Sequence, residues 1–399
     1  MREELTKALD ALVDDLLQQT PHVSHSAVVC IESPKHQFRY AKALGQARPD
    51  SGEAMTLEHG FHWASIGKTL TATLILQLWE EGAFGDEGLD RPLGELAVLP
   101  ESLLARLQLH GGTVYGHKIS LRQILCHTSG MKDAMQDGIK LTGAEAGGLA
   151  ADSLLGQLFF DKAICQKFPS PMLPWDKSAS ADARYAGIIN FYCFDDQYAK
   201  TALFEPGKGF HYTDTGYVLL ALIVEAVRGK PLHEVLKEHI FDPLFLSDIY
   251  LAYRSDPELE ACRQPESEIY FGEAPCLSTG MDLSFDWGGG GIVSAAPTMV
   301  LFIKALMAGE LFKQSRTLEE MLAWQCPEGL KRPRTAAGLG IFKTEYPSGE
   351  LWGHSGAWGA NMYWDPDSDI YLGGTINQVM GNANWHWRFF ELLKQSFAQ

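Results

Sequence analysis

The sequence predicts an α/β protein of the α+β kind, with one antiparallel sheet assembled from both ends of the chain, flanked by helices, and a mostly helical domain inserted between. Two observations near the termini and one in the middle predict it. Near the start, "SAVVCIE" (26–32) and "FRYAKALG" (38–45) read as strands joined by "SPKHQ" as a hairpin. Near the end, "GLGIFKTE", "LWGHSG", "GANMYWD" and "IYLGGTIN" are short strand patterns separated by turns such as "YPSG" and "PDSD". Between them the apolar spacing is helical at 69–81, 119–126, 150–160, 215–228 and 297–308.

Each terminus adds a helix. Leu5, Leu9, Leu12, Val13, Leu16 and Leu17 form one apolar stripe, so the first segment is expected to lie on something flat. "NWHWRFFELLKQSF" closes the chain as a second helix. The expected division is a discontinuous α/β domain of residues 1–65 and 287–399 around a mainly helical domain of 66–286, forming one catalytic unit with its site between them. Gly288 to Gly291 read as a loop where backbone approaches something closely. Residues 166–190, with three prolines, read as a long surface or pocket-rim loop.

Composition narrows the function. The 399 residues are 46% hydrophobic and 21% charged, the usage of a folded globular protein. A net charge of −17 opposes binding to nucleic acid or an anionic membrane surface, and no basic run overcomes it. No apolar run approaches the length of about 18 residues that a membrane-spanning helix needs. The acidic amphipathic N-terminus is unlike a signal peptide, so a cytoplasmic location is expected if Met1 is the native start. Seven scattered cysteines without a C-x-x-C pair read as reduced thiols, mostly core filler. His59 and His62 lack partners at ligand spacing, so no metal is expected, and nothing in the sequence calls for a cofactor.

Catalytic chemistry is suggested by "SIGK". Ser65 and Lys68 stand one turn apart at the N-terminus of an apolar helix that Gly82 ends. A serine hydroxyl needs a base to take its proton and donors for the oxyanion. The first helical turn offers both, through unpaired backbone N–H groups and a side chain at i+3. The alternative is an N-cap serine with a solvent-exposed lysine. A second S-x-x-K, Ser129 to Lys132, lies in the turn "CHTSGMKDA", where serine and glycine most simply bond to backbone.

Two further segments complete a pattern. Ser65-Ile66-Gly67-Lys68, Tyr212-Thr213-Asp214 and His354-Ser355-Gly356 resemble, in order, the three motifs of the serine β-lactamase and penicillin-binding superfamily. They are most similar to the branch of class C β-lactamases, D-amino-acid peptidases and β-lactamase-like carboxylesterases. "LRQILCHTSGM", "GGGGIVSAAPTMVLFIKAL" and "IFDPLFL" resemble secondary signatures of that branch. The resemblance runs from about residue 20 to 380. It implies a β-lactamase/transpeptidase-like fold and an acyl-enzyme on Ser65. It further implies an oxyanion held by the backbone N–H groups of Ser65 and Ala357, protons shuttled by Lys68 and Tyr212, and substrate contacts from Asp214, His354, Ser355, Gly356 and Trp358. Bringing Tyr212 from a pKa of about 10 to about 7 would take roughly 4 kcal/mol of preferential phenolate stabilisation, which a nearby charged Lys68 is expected to supply.

Two positions depart from the family pattern. Asp214 replaces an asparagine, and a carboxylate only accepts hydrogen bonds, which argues against acylamide substrates unless it pairs with a substrate amine. It also raises Lys68 and opposes a tyrosinate. His354 replaces a lysine, so carboxylate-bearing substrates are expected to lose affinity. The expected activity is hydrolysis of small esters, with acyl transfer possible. The alternatives are a β-lactamase, a D-alanyl carboxypeptidase, a D-amino-acid amidase or a catalytically silent scaffold. Trp175, Trp358, Tyr363 and Trp364 line an apolar pocket or else pack as strand aromatics under the last helix. Loops 133–205 and 255–285, the acyl and leaving groups and the oligomeric state are left open.

Overall fold

The computed structural model describes residues 2–18, 24–105, 107–133, 137, 145–146, 149–150, 202–258, 266–281, 283–284, 286–379 and 382–398. The expected helix at 150–160, the loop at 166–190 and Trp175 lie outside them.

Helix α1 (Arg2–Leu16) precedes strands β1 (Ser26–Ser33) and β2 (Phe38–Gly45), which pair from Ser26–Gly45 to Ser33–Phe38 as the expected hairpin. Strand β3 (Phe61–His62) leads into helix α2 (Gly67–Glu80). Helices α3 (Leu121–Leu125) and α4 (Asp214–Arg228) follow, then β4 (Tyr250–Leu251) and β5 (Ile292–Ser294), which pairs with both β3 and β4. Helix α5 (Ala296–Met307) opens the C-terminal part. It continues through β6 (Arg334–Ala337), β7 (Phe342–Tyr346), β8 (Gly349–Ser355), β9 (Ala360–Asp365), β10 (Ile370–Thr375) and helix α6 (Trp387–Phe397).

The large sheet has the order β6-β7-β8-β9-β10-β1-β2, every neighbouring pair antiparallel. Burial explains the sequence pattern. Strand β1 is sandwiched on both faces: Ala27, Val29 and Ile31 pack with Leu9 and Val13 of α1 and Phe389, Phe390 and Leu393 of α6, while Val28 and Cys30 join the opposite core with Met299 and Phe302 of α5. A strand covered twice reads as a continuous apolar run. Edge strand β2 alternates buried and exposed residues at its start, as a strand with one wet face does.

Helix α2 is buried from Gly67 to Leu78. Its threonine hydroxyls are satisfied inside the core, Thr69 donating to the Gly340 carbonyl at 2.8 Å and Thr71 to the Gly288 carbonyl at 2.6 Å. The glycine run differs from expectation: Trp287–Gly290 is a short helical turn packed on α2 and α4, and only Gly291 ends it. A Cβ on Gly288 would lie 2.3 Å from the Ala221 Cβ, so the turn fits only without side chains, and a glycine pattern hides the helix. Cys30, Cys126 and Cys276 are buried, and Cys326 is exposed. Among the described residues no helix is long and apolar enough to cross a membrane.

Candidate active site

Ser65 sits in a tight turn, Ala64–Ile66, that runs straight into α2. Trp63 pins the turn to β5, its N–H donating to the Ile292 carbonyl at 2.8 Å and its indole to Ser294 Oγ at 3.1 Å. Ala64 has φ +49°, a left-handed conformation that costs an L-residue about 1–2 kcal/mol. His127 (φ +59°) and Trp287 (φ +27°) are held likewise, so backbone strain gathers around this site. The turn is gripped from both sides. A Cβ on Gly290 would stand 2.5 Å from the Ala64 carbonyl atoms, and one on Gly356 would stand 2.2 Å from the Trp63 carbonyl oxygen.

Lys68 has no solvent exposure. Its Nζ donates to Ser65 Oγ at 3.1 Å, to the Gly289 carbonyl at 2.8 Å and to Asp214 Oδ1. Neither turn nor helix is capped by a side chain here, so the capping alternative is not what the backbone adopts. Burial works against the ammonium, but Asp214, Tyr212 and Asp286 outweigh it and hold Lys68 above its ordinary pKa. Asp286 is pushed up to about 7, first by burial. Asp133, absent from the sequence reading, accepts from the backbone of Asp214 at 2.9 Å and of Thr215 at 3.3 Å, tying down the first turn of α4. Burial and Asp214 push its carboxyl well up.

Tyr212 precedes α4, whose cap is Thr213, the side chain accepting from Gly216 N at 3.3 Å. The Lys68 ammonium lies 5.0 Å from the Tyr212 ring centroid. His127 stacks on the Tyr212 ring at 4.3 Å, and its Nδ1 accepts from the Thr213 N–H at 3.2 Å, which leaves its proton on Nε2. The Tyr212 hydroxyl is buried beside Ser65. Its pKa is pushed up to about 12: burial dominates, Lys68 and Arg334 pull down, and Asp214 opposes them. The expected fall toward 7 does not occur, because burial outweighs the pull of Lys68 and Asp214 opposes that pull.

Ser65 and Tyr212 open onto a cavity of about 260 Å³ together with Arg334, Ser355, Gly356, Ala357, Asn361 and Gln378. The Ala357 amide makes no backbone hydrogen bond among the described residues, and the Ser65 amide makes none outside its own turn. Ser65 and Ala357 both line the cavity. No group of three His, Cys, Asp or Glu among the described residues is placed to hold a metal.

The β-lactamase family model matches residues 9–386 of the chain. The chain belongs to this family. It is 25% identical over 253 residues to penicillin-binding protein 4* of Bacillus subtilis, covering 62% of this chain and 42% of that protein. It is 26% identical over 236 residues to lovastatin esterase of Penicillium rubens, covering 56% and 48%. The chain thus spans about half the length of these curated relatives. Among solved structures, the D-amino acid amidase of Ochrobactrum anthropi SV3 shares the fold with a TM-score of 0.70 at 22% identity, over 99% of each chain.

Against the β-lactamase motifs, the two departures sit differently from expectation. His354 does not line the cavity. It is buried, its Nδ1 donates to the Ser355 carbonyl at 2.7 Å, and burial with Arg334 and Lys68 pushes its pKa well down. Its Nδ1 is thus committed to its own strand. Asp214 is engaged with Lys68 rather than facing the cavity. Trp358, expected at the substrate, is 2% exposed in the core, its indole directed to Asp286. Tyr363 stacks on His386 beneath α6, and Trp364 on Tyr371, as packing aromatics. Ser129 is fully buried, its Oγ accepting from the Met131 N–H at 3.4 Å, the expected structural turn.

Proposed function

We propose that the protein is a serine hydrolase working through an acyl-enzyme on Ser65, a carboxylesterase acting on small esters, with acyl transfer to other alcohols or amines open to the same site. One observation carries this reading: Lys68 Nζ, fully buried, donates to Ser65 Oγ at 3.1 Å, and Ser65 and Ala357 both line the same cavity. In this reading the site lies between the part formed by 1–65 with 287–399 and the part formed by 66–286.

Ser65 Oγ bonds to the ester carbon as its proton passes to Lys68, which yields one of its own to Asp214. The two backbone N–H groups hold the oxyanion. Tyr212, protonated at neutral pH, gives its proton to the departing alkoxide as the C–O bond breaks. The stored proton returns from Asp214 through Lys68 to the tyrosinate, and water then cleaves the acyl-enzyme by the same steps. Esters are favoured over amides because Asp214 cannot donate to an amide carbonyl, and its carboxylate is held by Lys68.

Ser65→Ala should abolish 4-nitrophenyl butyrate turnover and fluorophosphonate labelling, with the native adduct mapped to Ser65 by intact and peptide mass. Undiminished labelling of the variant would end the proposal. D-phenylalanine amide or nitrocefin cleaved as efficiently as esters would replace the esterase assignment with an amidase or β-lactamase one.

A further inference from the structure

Asp286 takes no part in the proton transfers above, yet its carboxylate stands among the charges of the site. The residue opens the helical turn Trp287–Gly290. A Cβ built on Gly289 would lie 3.5 Å from Asp214 Oδ1, 3.6 Å from Lys68 Nζ and 3.8 Å from Asp286 Oδ1, so two carboxylates and one ammonium ring a single point. Lys68 already pairs with Asp214. A second buried carboxylate beside a balanced pair is costly unless another donor holds it.

That donor comes from the wall of the cavity. The Gly359 N–H donates to the Gly356 carbonyl at 3.1 Å and closes a turn with Ala357 and Trp358 at its tip. Ala357 lines the cavity, whereas Trp358 is buried in the core with its indole directed to the Asp286 carboxylate. The backbone of Asp286 acts on Lys68. Its carbonyl accepts from the Gly289 N–H at 2.7 Å, and the Gly289 carbonyl in turn accepts from Lys68 Nζ at 2.8 Å. One residue therefore touches both the turn that presents Ala357 and the turn that seats Lys68.

We infer that Asp286 is a positioning residue that sets these two parts of the site against each other, its carboxylate holding the Trp358 indole and its backbone bracing the carbonyl that receives Lys68. The inference rests on the proposed mechanism, which gives Ala357 the oxyanion and Lys68 the proton of Ser65. It explains why an acid is kept next to an ion pair that does not need its charge.

The test follows acylation of Ser65 by a fluorophosphonate in Asp286→Ala, Asp286→Asn, Trp358→Phe and the double variant Asp286→Ala with Trp358→Phe. Asp286→Ala and Trp358→Phe should each lower the maximal labelling rate by about tenfold with little change in reagent affinity, the mark of a displaced group and not of a lost binding contact. The double variant should be no slower than the slower single one, because both remove the same contact. Two independent losses of packing would multiply instead, and that outcome overturns the inference. Asp286→Asn loses the same charge as Asp286→Ala but keeps an oxygen for the indole, so its rate should stay within about threefold of native. An asparagine variant as slow as the alanine one also overturns it.

A second readout is independent of activity. Among the indole N–H resonances of the 10 tryptophans, that of Trp358 is the one absent from Trp358→Phe. Lys68 of α2, Asp214 of α4 and His62 of β3 all face Asp286, whose pKa is pushed up to about 7. Ionisation of the carboxylate strengthens its hold on the indole, so the Trp358 resonance should move downfield with a midpoint near pH 7 in the native chain and lose that titration in Asp286→Asn. A titration that persists in Asp286→Asn belongs to His62 and refutes the contact. Ser65 labelling that Asp286→Ala leaves unchanged refutes the inference alone. A native chain that shows the Trp358 titration but is labelled by no fluorophosphonate refutes the hydrolase reading, and the positioning role with it.

Discussion

Lys68 is the residue on which the site's charges balance. It is one cation facing Asp214 and Asp286, and its pull on the neighbouring phenol is outweighed by burial and opposed by Asp214. Asp214→Asn removes the carboxylate that raises both Lys68 and Tyr212, so the coupled pair should release its first proton at lower pH. Fluorophosphonate labelling of Ser65, followed against pH, should reach half its plateau at a lower pH in Asp214→Asn than in the native chain. A midpoint at or above the native one contradicts the balance described here. Ser65, Lys68 and Tyr212 were legible because each belongs to a contiguous motif. Arg334, Asp286 and Gln378 were not, since no motif marks their segments, and Asp133 and Asn361 lay in a turn and a strand pattern that do not single them out. His127 lay within a quoted segment, "LRQILCHTSGM", yet only the fold shows its ring stacked on Tyr212.

At the scale of elements, the turn Trp287–Gly290 does for Ser65 what a cap or disulfide does elsewhere: it holds a strained backbone in place by contact. Gly290→Ala would set a Cβ 2.5 Å from the Ala64 carbonyl atoms and 2.6 Å from Asp286 Oδ1. Relief requires the Ser65 turn to move. Labelling of Ser65 should slow by about 100-fold, as small misplacements do, with a stability loss of about 1–3 kcal/mol in urea unfolding. Native-like labelling would show that the contact is not what holds the serine. The long elements were readable from periodicity: α2 begins at Gly67 against an expected 69, and α4 at Asp214 against 215. Strand β6, "RTAA", was not, because four residues at a sheet edge with small side chains carry no alternation.

Across the whole molecule, the sheet built from both ends was the most legible feature, since its strands are short and separated by clear turns, β7 alternating throughout and β2 at its start. What the pattern concealed is the number of histidines sealed within it. His386 is 1% exposed with neither ring nitrogen bonded, and burial lowers its pKa to about 3. His127 and His354 are pushed well down too. An unfolded histidine takes up a proton below about pH 6.5 that the native His386 refuses, so stability present above that pH is lost as pH falls toward 3. Between pH 7 and pH 5 the native chain should lose about 2 kcal/mol relative to His386→Phe, read by urea unfolding at both values. An equal difference at the two pH values would contradict this.

Strand β1 lies between β2, its immediate successor, and β10, more than three hundred positions downstream. On the ribosome the first hairpin therefore emerges with one flank unclothed and waits for nearly the entire polypeptide before its other neighbour arrives. Until then its apolar rim is open to any passing strand, and a chaperone that shields nascent hairpins should raise the yield of native protein most when translation is slow.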